Sequence, residues 1–394
     1  MKKKIKLLLM VPMLHQGGFE RICALTANKL KDIFEVHIVV FTSKDMFYDV
    51  SDIDLIDLDL EAVSGKIGKI LNILKRTIKV RKIKKKLGID ITYSFGQTAN
   101  IVNVLSKYKD VTWAGIRGYG ALEDYHQMKL VCKLADRMVS CTKIMEKEIT
   151  NQHKVNSSTT LYNPCNLEEM QKLSKEEIDD IFDEFLNREG KTIVSLGRAH
   201  DVKGYWHLLK SVYLVKKQIP NVKLMLIGDD DFTEYMQLAR DLGIDKDVLF
   251  TGVQKNPFAL LAKADIYTLT SESEGFPNAL IEAMGLGLPC VSVNCKTGPA
   301  EILHNNYKEC DNQEKLYMAD YGILTPIFTG EKDLNTGHIT EQEDIFANQL
   351  IKLLDGDELY EKYSKAAKQR AAEFSMKAYV ESIVEQAAKD IGIR

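Results

Sequence analysis

The chain has 394 residues, 45% of them apolar and 28% charged, with a formal charge of −3. That length and composition suit two globular domains with ample core, and they exclude low-complexity disorder, collagen-like repeats and small disulfide scaffolds. The seven cysteines have no paired spacing, which reads as reduced thiols in a cytoplasmic protein. The apolar run at 5–13 contains Lys6 and is far too short to span a membrane. No small-residue cleavage site follows it, so no signal peptide is expected.

In chain order, the continuous apolar stretch 5–11 reads as a buried parallel strand. The loop with Gly17 and Gly18 follows, then a helical pattern over 19–30 and a second strand at 36–41, closing a βαβ unit. Strand-like runs recur at 53–58, 89–95, 111–116 and 137–141, with helical patterns between most of them. This alternation predicts a doubly wound parallel sheet. The same grammar restarts after Asn163-Pro164, with strands at 192–196, 222–227, 248–250, 266–269 and 290–293. Helices fit 205–218, 232–242, 278–287, 344–354, 359–374 and 376–391, while 304–340 reads as a polar, irregular surface insertion. The predicted division is 1–165, 166–373 and a final helical segment 374–394 that docks on the first domain through its apolar stripe.

Charge is unevenly spread. Residues 62–89 hold ten Lys or Arg and no acid. Within 66–87, Ile67, Leu71, Leu74 and Ile78 recur at helical spacing. The expected helix turns that stripe to the sheet and its charges to water or to an anionic membrane surface. Nucleic acid is not expected as a partner, because 62–89 contains no Phe, Tyr or Trp to stack on bases.

Three strand-to-helix junctions carry chemistry. In 271–284 an apolar strand ends, and Glu274, Gly275, Phe276 and Pro277 lead into a helix opening at Asn278, with Glu282 one turn in. Free amides at such a helix start face any anion placed there, and two carboxylates eight residues apart can hold hydroxyls at both ends of an extended ligand. A helix with an ordinary acidic start remains the alternative. In 196–204, Arg198 and Lys203 follow a strand, a planar fork and a point charge suited to a diphosphate. Gly17 and Gly18 mark the third junction, where a ligand can approach the backbone. No Gly-x-Gly-x-x-Gly, P-loop or zinc spacing occurs, and Asp229 to Asp231 read as a helix cap rather than a metal site.

At these residues the sequence resembles glycosyltransferase family 4, retaining sugar transferases of the GT-B architecture. The Glu, seven residues, Glu pattern falls on Glu274 and Glu282, and Gly197-Arg198, Lys203-Gly204, Gly228-Asp229, Gly298-Pro299 and Gly17-Gly18 keep the family's order. The resemblance implies an α/β fold of two Rossmann-like, doubly wound domains facing across a cleft. It implies a nucleotide-sugar donor bound mostly to the second domain, and a glycan or lipid-linked acceptor. Glu282 would hold the ribose, Glu274 the sugar hydroxyls, and Arg198 with Lys203 the diphosphate. Gly275, Phe276, Pro277 and Asn278 would contact sugar and phosphates, Gly252 and Val253 would flank the base, and Gly18 would line the phosphates. Many relatives place a His where this chain has Arg117, which would take that position. No metal or other cofactor is expected, since protein cations meet the leaving-group charge. The activity implied is hexose or N-acetylhexosamine transfer in polysaccharide, lipopolysaccharide or cell-wall assembly. The rivals are a nucleotide-sugar 2-epimerase and a non-catalytic nucleotide-sugar-binding subunit. Placement would be cytoplasmic, with peripheral contact at the inner face of the cell membrane.

Overall fold

The computed structural model describes residues 4–228 and 231–392. Its contacts separate two compact units, one of residues 1–164 with 376–394 and one of residues 165–375.

The first unit is built from β1 (Lys6–Val11), α1 (Gly18–Leu30), β2 (Glu35–Val40), β3 (Asp54–Asp57), α2 (Lys66–Leu87), β4 (Ile91–Phe95), α3 (Gln97–Leu105), β5 (Val111–Ile116), α4 (Tyr125–Leu134), β6 (Arg137–Ser140), α5 (Lys143–Gln152) and β7 (Ser158–Thr160). Its strands lie in the order β3-β2-β1-β4-β5-β6-β7, all parallel. The inner strands β2, β1, β4 and β5 are almost wholly buried, as expected of a parallel sheet covered on both faces.

The second unit holds α6 (Leu167–Leu173), α7 (Asp180–Leu186), β8 (Thr192–Leu196), α8 (Tyr205–Lys216), β9 (Lys223–Ile227), α9 (Thr233–Asp241), β10 (Val248–Phe250), α10 (Pro257–Leu261), β11 (Ile266–Leu269), α11 (Asn278–Leu286), β12 (Cys290–Val293), α12 (Pro299–Leu303), β13 (Tyr317–Met318), β14 (Ile323–Thr325), α13 (Glu341–Asp355) and α14 (Asp357–Glu373). The strand order is β10-β9-β8-β11-β12-β14-β13, with only β13 antiparallel. These two α/β sheets are Rossmann-like and doubly wound.

Two expectations fail. Residues 304–340 are not a surface insertion: β14 is fully buried and pairs in parallel with β12, so this stretch completes the sheet. The helix α2 is turned the other way from the expected stripe-inward arrangement. Ile67 is 76% exposed and Leu74 49%, and Ile70, Leu71 and Ile78 are also exposed, while Asn72, Arg76, Val80 and Lys84 are buried. The physical reason is a set of polar anchors on the inner face. Arg76 donates from Nε to the Leu60 carbonyl at 3.1 Å and stacks over Phe41, and Asn72 Nδ2 donates to the Glu61 carbonyl at 2.6 Å. Lys84 Nζ lies 2.9 Å from the Asp110 carboxylate and 2.9 Å from Asn103 Oδ1, with Lys84 and Asp110 both almost wholly buried. Rotating the helix would leave these groups unpaired in the core, which costs more than exposing aliphatic side chains.

The final helix, α15 (Met376–Asp390), belongs to the first unit, where Tyr379, Ile383 and Ala387 join its core. Asp390 accepts two bonds from Arg137, at 2.7 and 2.6 Å, and one from Trp113 Nε1 at 2.8 Å. Tyr379 shares a 2.9 Å hydrogen bond with Thr26 of α1.

Candidate active site

In the second unit the chain runs outward from β8 in both directions, so the strand order reverses between β8 and β11. In such sheets ligands bind outside the carboxyl ends of the strands at that reversal. The loops following β8 and β11 meet there because the strands are hydrogen-bonded neighbours, with Tyr267 opposite Val194.

The loop after β8 carries Arg198 and a short turn, Asp201–Lys203. Lys203 Nζ donates to Glu274 Oε1 at 2.7 Å, with the lysine side chain 24% exposed and the glutamate 11%. Two bonds lock these loops together, and a third ties the loop after β12 to them. Glu272 N donates to the Val202 carbonyl at 2.8 Å, Thr270 Oγ1 donates to the Lys203 carbonyl at 2.8 Å, and Thr297 Oγ1 donates to the Glu274 carbonyl. Glycines make this crowding feasible. Gly204 has φ +62, and a Cβ there would lie 2.5 Å from the Thr270 carbonyl oxygen. A Cβ on Gly228 would lie 1.8 Å from the Gly197 carbonyl oxygen. Arg198 is exposed on the same loop and makes no ion pair among the described residues.

The loop after β11 runs through Glu274, Gly275, Phe276 and Pro277 into α11, and Pro277 occupies the N-cap position. Asn278 opens the helix, and Glu282 is buried in its second turn. Burial first, then neighbours that include Glu274 and Glu282, push the Tyr267 hydroxyl well above its usual range. One buried hydroxyl thus senses both carboxylates. Burial, with Glu274 second, likewise raises the Cys295 thiol. Gly252, at φ +68, and the exposed Val253 follow β10, and the Gly228 amide donates to the Gly252 carbonyl at 3.2 Å. The structure therefore gathers Arg198, Lys203, Glu274, Gly275, Phe276, Pro277, Asn278, Glu282, Gly252 and Val253 onto junctions at the carboxyl edge of one sheet.

In the first unit Gly17 N-caps α1 at the corresponding reversal between β1 and β4. Its backbone is extended (φ −164), so the conformation does not demand glycine; a Cβ would instead meet the Glu20 carboxylate at 2.2 Å. Tyr48 Oη donates to the Gly17 carbonyl at 3.0 Å, and Gly18 is the first residue of the helix. Arg117, just after β5, donates to Asn163 Oδ1 at 2.8 Å and to the Leu161 carbonyl at 3.3 Å, bonds Tyr93 Oη, and stacks over Phe95. Its guanidinium ties down the chain where it leaves the unit.

Asp229 and Asp230 lie outside the described residues. Asp231 accepts from the Thr233 amide at 2.8 Å, and hydrogen bonding from the Thr233 side chain first and its amide second holds the Asp231 carboxyl below its usual range. The expected cap is corrected, because Phe232 and not Asp231 is the N-cap residue of α9. No group of three or more His, Cys, Asp or Glu suited to a metal occurs among the described residues.

Several side chains of the site escape the motif reading. Thr297 and Tyr205 pack at the Lys203–Glu274 corner, and Ser271 is buried on the loop that carries Glu274. Ser271 Oγ is buried without a hydrogen-bond partner among the described residues, and the Tyr205 hydroxyl would lie 2.9 Å from a Cβ on Gly197. Thr297 was within reach of inference, as it directly precedes the Gly298-Pro299 pair.

Two parallel-dominated α/β sheets, each reversing its strand order at its centre, make the GT-B architecture, and comparisons with known proteins supply the class of enzyme. Residues 176–315 match the family model described as glycosyl transferases group 1. An uncharacterised glycosyltransferase of Methanocaldococcus jannaschii is 30% identical over 332 residues, which cover 78% of this chain and 81% of that one. An N-acetylgalactosamine-N,N'-diacetylbacillosaminyl-diphospho-undecaprenol 4-alpha-N-acetylgalactosaminyltransferase of Campylobacter jejuni is 23% identical over 94% of this chain and 95% of its own. HepE of Anabaena, solved in complex with UDP and glucose, superposes with a TM-score of 0.74 at 17% identity, covering 98% of this chain and 100% of its own. The chain belongs to the group 1 glycosyltransferases, and it is an enzyme of that family.

Proposed function

We propose that this glycosyltransferase is a retaining enzyme that moves a hexose or N-acetylhexosamine from a nucleotide diphosphate sugar to a lipid-linked glycan acceptor in polysaccharide, lipopolysaccharide or cell-wall assembly. The observation that carries the donor chemistry is the Lys203–Glu274 contact at the β8/β11 reversal, with Arg198 on the same loop and the α11 helix start beside it. The Campylobacter relative named for an undecaprenol-linked acceptor supports the acceptor class, and the UDP bound in HepE supports a uridine donor.

In this reading the sugar-phosphate bond breaks, negative charge builds on the leaving diphosphate, and the sugar passes through an oxocarbenium-like state. Arg198 and Lys203 stabilise the leaving charge, and the first amides of α11 add their dipole. Glu274 is placed for the sugar hydroxyls and Glu282 for the ribose. Lys203 and Glu274 orient each other, so one ion pair would touch both the diphosphate and the sugar. The acceptor hydroxyl attacks from the leaving-group face, which keeps the anomeric configuration and needs no protein nucleophile. Gly17 and Gly18 stand at the first unit's own strand reversal, and Arg117 acts in that unit as a positioning residue through its hold on Asn163. The protein cations take the part that a metal ion would play, so no cofactor enters the reaction.

The test is transfer from a panel of UDP-, GDP- and ADP-sugars to a short-chain polyprenyl-diphosphate glycan, with the product's anomeric configuration read by NMR. An α-linked product from an α-linked donor, formed in excess chelator, is the expected result. An inverted product, or activity abolished by chelator and restored by Mg or Mn, would overturn the corresponding part of the reading.

A further inference from the structure

The outward face of α2 is a feature of the first unit that sugar transfer leaves unexplained. Ile67, Ile70, Leu71, Leu74 and Ile78 are all exposed. At 3.6 residues per turn they fall within about 100° of the helix circumference and extend for about 16 Å along it. The same line continues into Arg81, Lys82 and Lys85, all exposed, and Lys66 and Lys75 border the aliphatic segment. Of the ten basic residues in 62–89 only Arg76 and Lys84 are buried, and no acid lies in the segment. The cationic end is extended by the loop after α3, where Arg81 stacks over the exposed Tyr108 beside Lys109.

We infer that α2 is an interfacial anchor, lying in the plane of an anionic lipid surface with its aliphatic row among the acyl chains and its lysines at the headgroups. The arrangement is fixed by the fold rather than by slack packing, because the inward polar anchors at Asn72, Arg76 and Lys84 set the helix rotation. An aliphatic row bordered by cations and free of acids is the chemistry of helices that bind in the membrane interface. The charge also decides among occupants. A second copy meeting this face would bring five cations, Lys66, Lys75, Arg81, Lys82 and Lys85, against the same five. A nucleic acid would find aliphatic side chains where phosphate contacts are needed and no aromatic ring on the helix. No helix among the described residues is long and apolar enough to cross a membrane, so attachment through α2 is surface attachment. The inference is independent of the acceptor proposed above, because lipid binding is read without any substrate.

The experiment is co-sedimentation of the full chain with vesicles of equimolar phosphatidylglycerol and phosphatidylcholine, and with phosphatidylcholine alone. Binding is expected to the anionic vesicles and at least tenfold weaker to neutral ones, at about fivefold per lysine engaged. Raised salt weakens it without abolishing it, since the aliphatic contribution is not screened. The variant I67Q/L71Q/L74Q/I78Q should lose about a hundredfold or more in partitioning while melting at the wild-type temperature, because all four side chains already face out. A second variant, L74C, carries a polarity-sensitive dye; the seven native cysteines are buried, so the label goes to position 74. A blue shift on anionic vesicles is expected. Undiminished binding of the Gln variant, or a dye that stays in water while the protein sediments, overturns insertion. No binding to anionic vesicles at low salt overturns the anchor altogether and leaves the face to an acidic protein partner.

Discussion

Replacing Lys203 by alanine separates a role in the reaction from a role in the fold. The lysine makes a 2.7 Å bond to Glu274, and both side chains are partly screened by solvent, at 24% and 11% exposure. An exposed ion pair contributes under about 1 kcal/mol, and losing one partner of a fully buried pair costs about 3–5 kcal/mol. This half-buried case should cost about 1–2 kcal/mol. In a unit of this size that lowers Tm by only a few degrees, and with a typical stability of about 5–15 kcal/mol the variant remains essentially all folded at 25 °C. Removing a donor that meets leaving-group charge instead raises the barrier by about 3–4 kcal/mol, which is a hundred- to a thousandfold in kcat. The assay is release of nucleoside diphosphate at saturating donor, alongside a thermal melt of the same preparation. Lys203→Ala should lose at least a hundredfold in kcat with a shift of a few degrees. Turnover within twofold of wild type, or a loss matched by unfolding at the assay temperature, would refute the reasoning.

Other consequences follow from contacts away from the chemistry. Asp390→Ala strips Arg137 of its buried carboxylate and Trp113 of its acceptor, so the first unit should lose about 3–5 kcal/mol, read as the midpoint of a urea melt. Gly228→Ala forces a Cβ against a backbone oxygen at 1.8 Å, and a destabilisation of about 1–3 kcal/mol or insoluble expression should result. Lys84 is pushed down to about 8 by burial, against the pull of Asp110, from an ordinary 10.5. The unfolded chain therefore binds more protons than the folded one between pH 8 and 10.5, and this pair's contribution to stability rises across that window. Urea midpoints of wild type, compared with a Lys84→Met/Asp110→Asn variant, should diverge in favour of wild type from pH 8 to 10.5; parallel curves would contradict the assignment.

The strand grammar was legible because buried parallel strands are near-continuous apolar runs, and 111–116, 192–196, 248–250, 266–269 and 290–293 coincide with observed strands. The stretch holding β13 and β14 was not, because these two short strands sit inside an otherwise polar and irregular run, 304–340, whose composition masks them. The face of α2 was misread for a different reason. Hydrophobic periodicity assumes that the aliphatic row seeks the core, but here Arg76 and Lys84 bury their stems and satisfy their heads on Leu60 and Asp110, partners that no spacing rule reveals. At the site, the strand-to-helix junctions exposed Glu274 and Lys203 as candidates. Their contact across 71 positions depends on β8 lying next to β11, a matter of strand order that local sequence does not encode.

The most direct measurement is nucleoside diphosphate release from a panel of nucleotide sugars by wild type and by an Arg198→Ala/Lys203→Ala variant, each with its donor Kd. Release from one base and sugar combination, with kcat lower by at least a thousandfold in the folded variant, is the result expected if these two cations carry the leaving-group charge. A variant that turns over its donor at the wild-type rate would contradict the account at its centre.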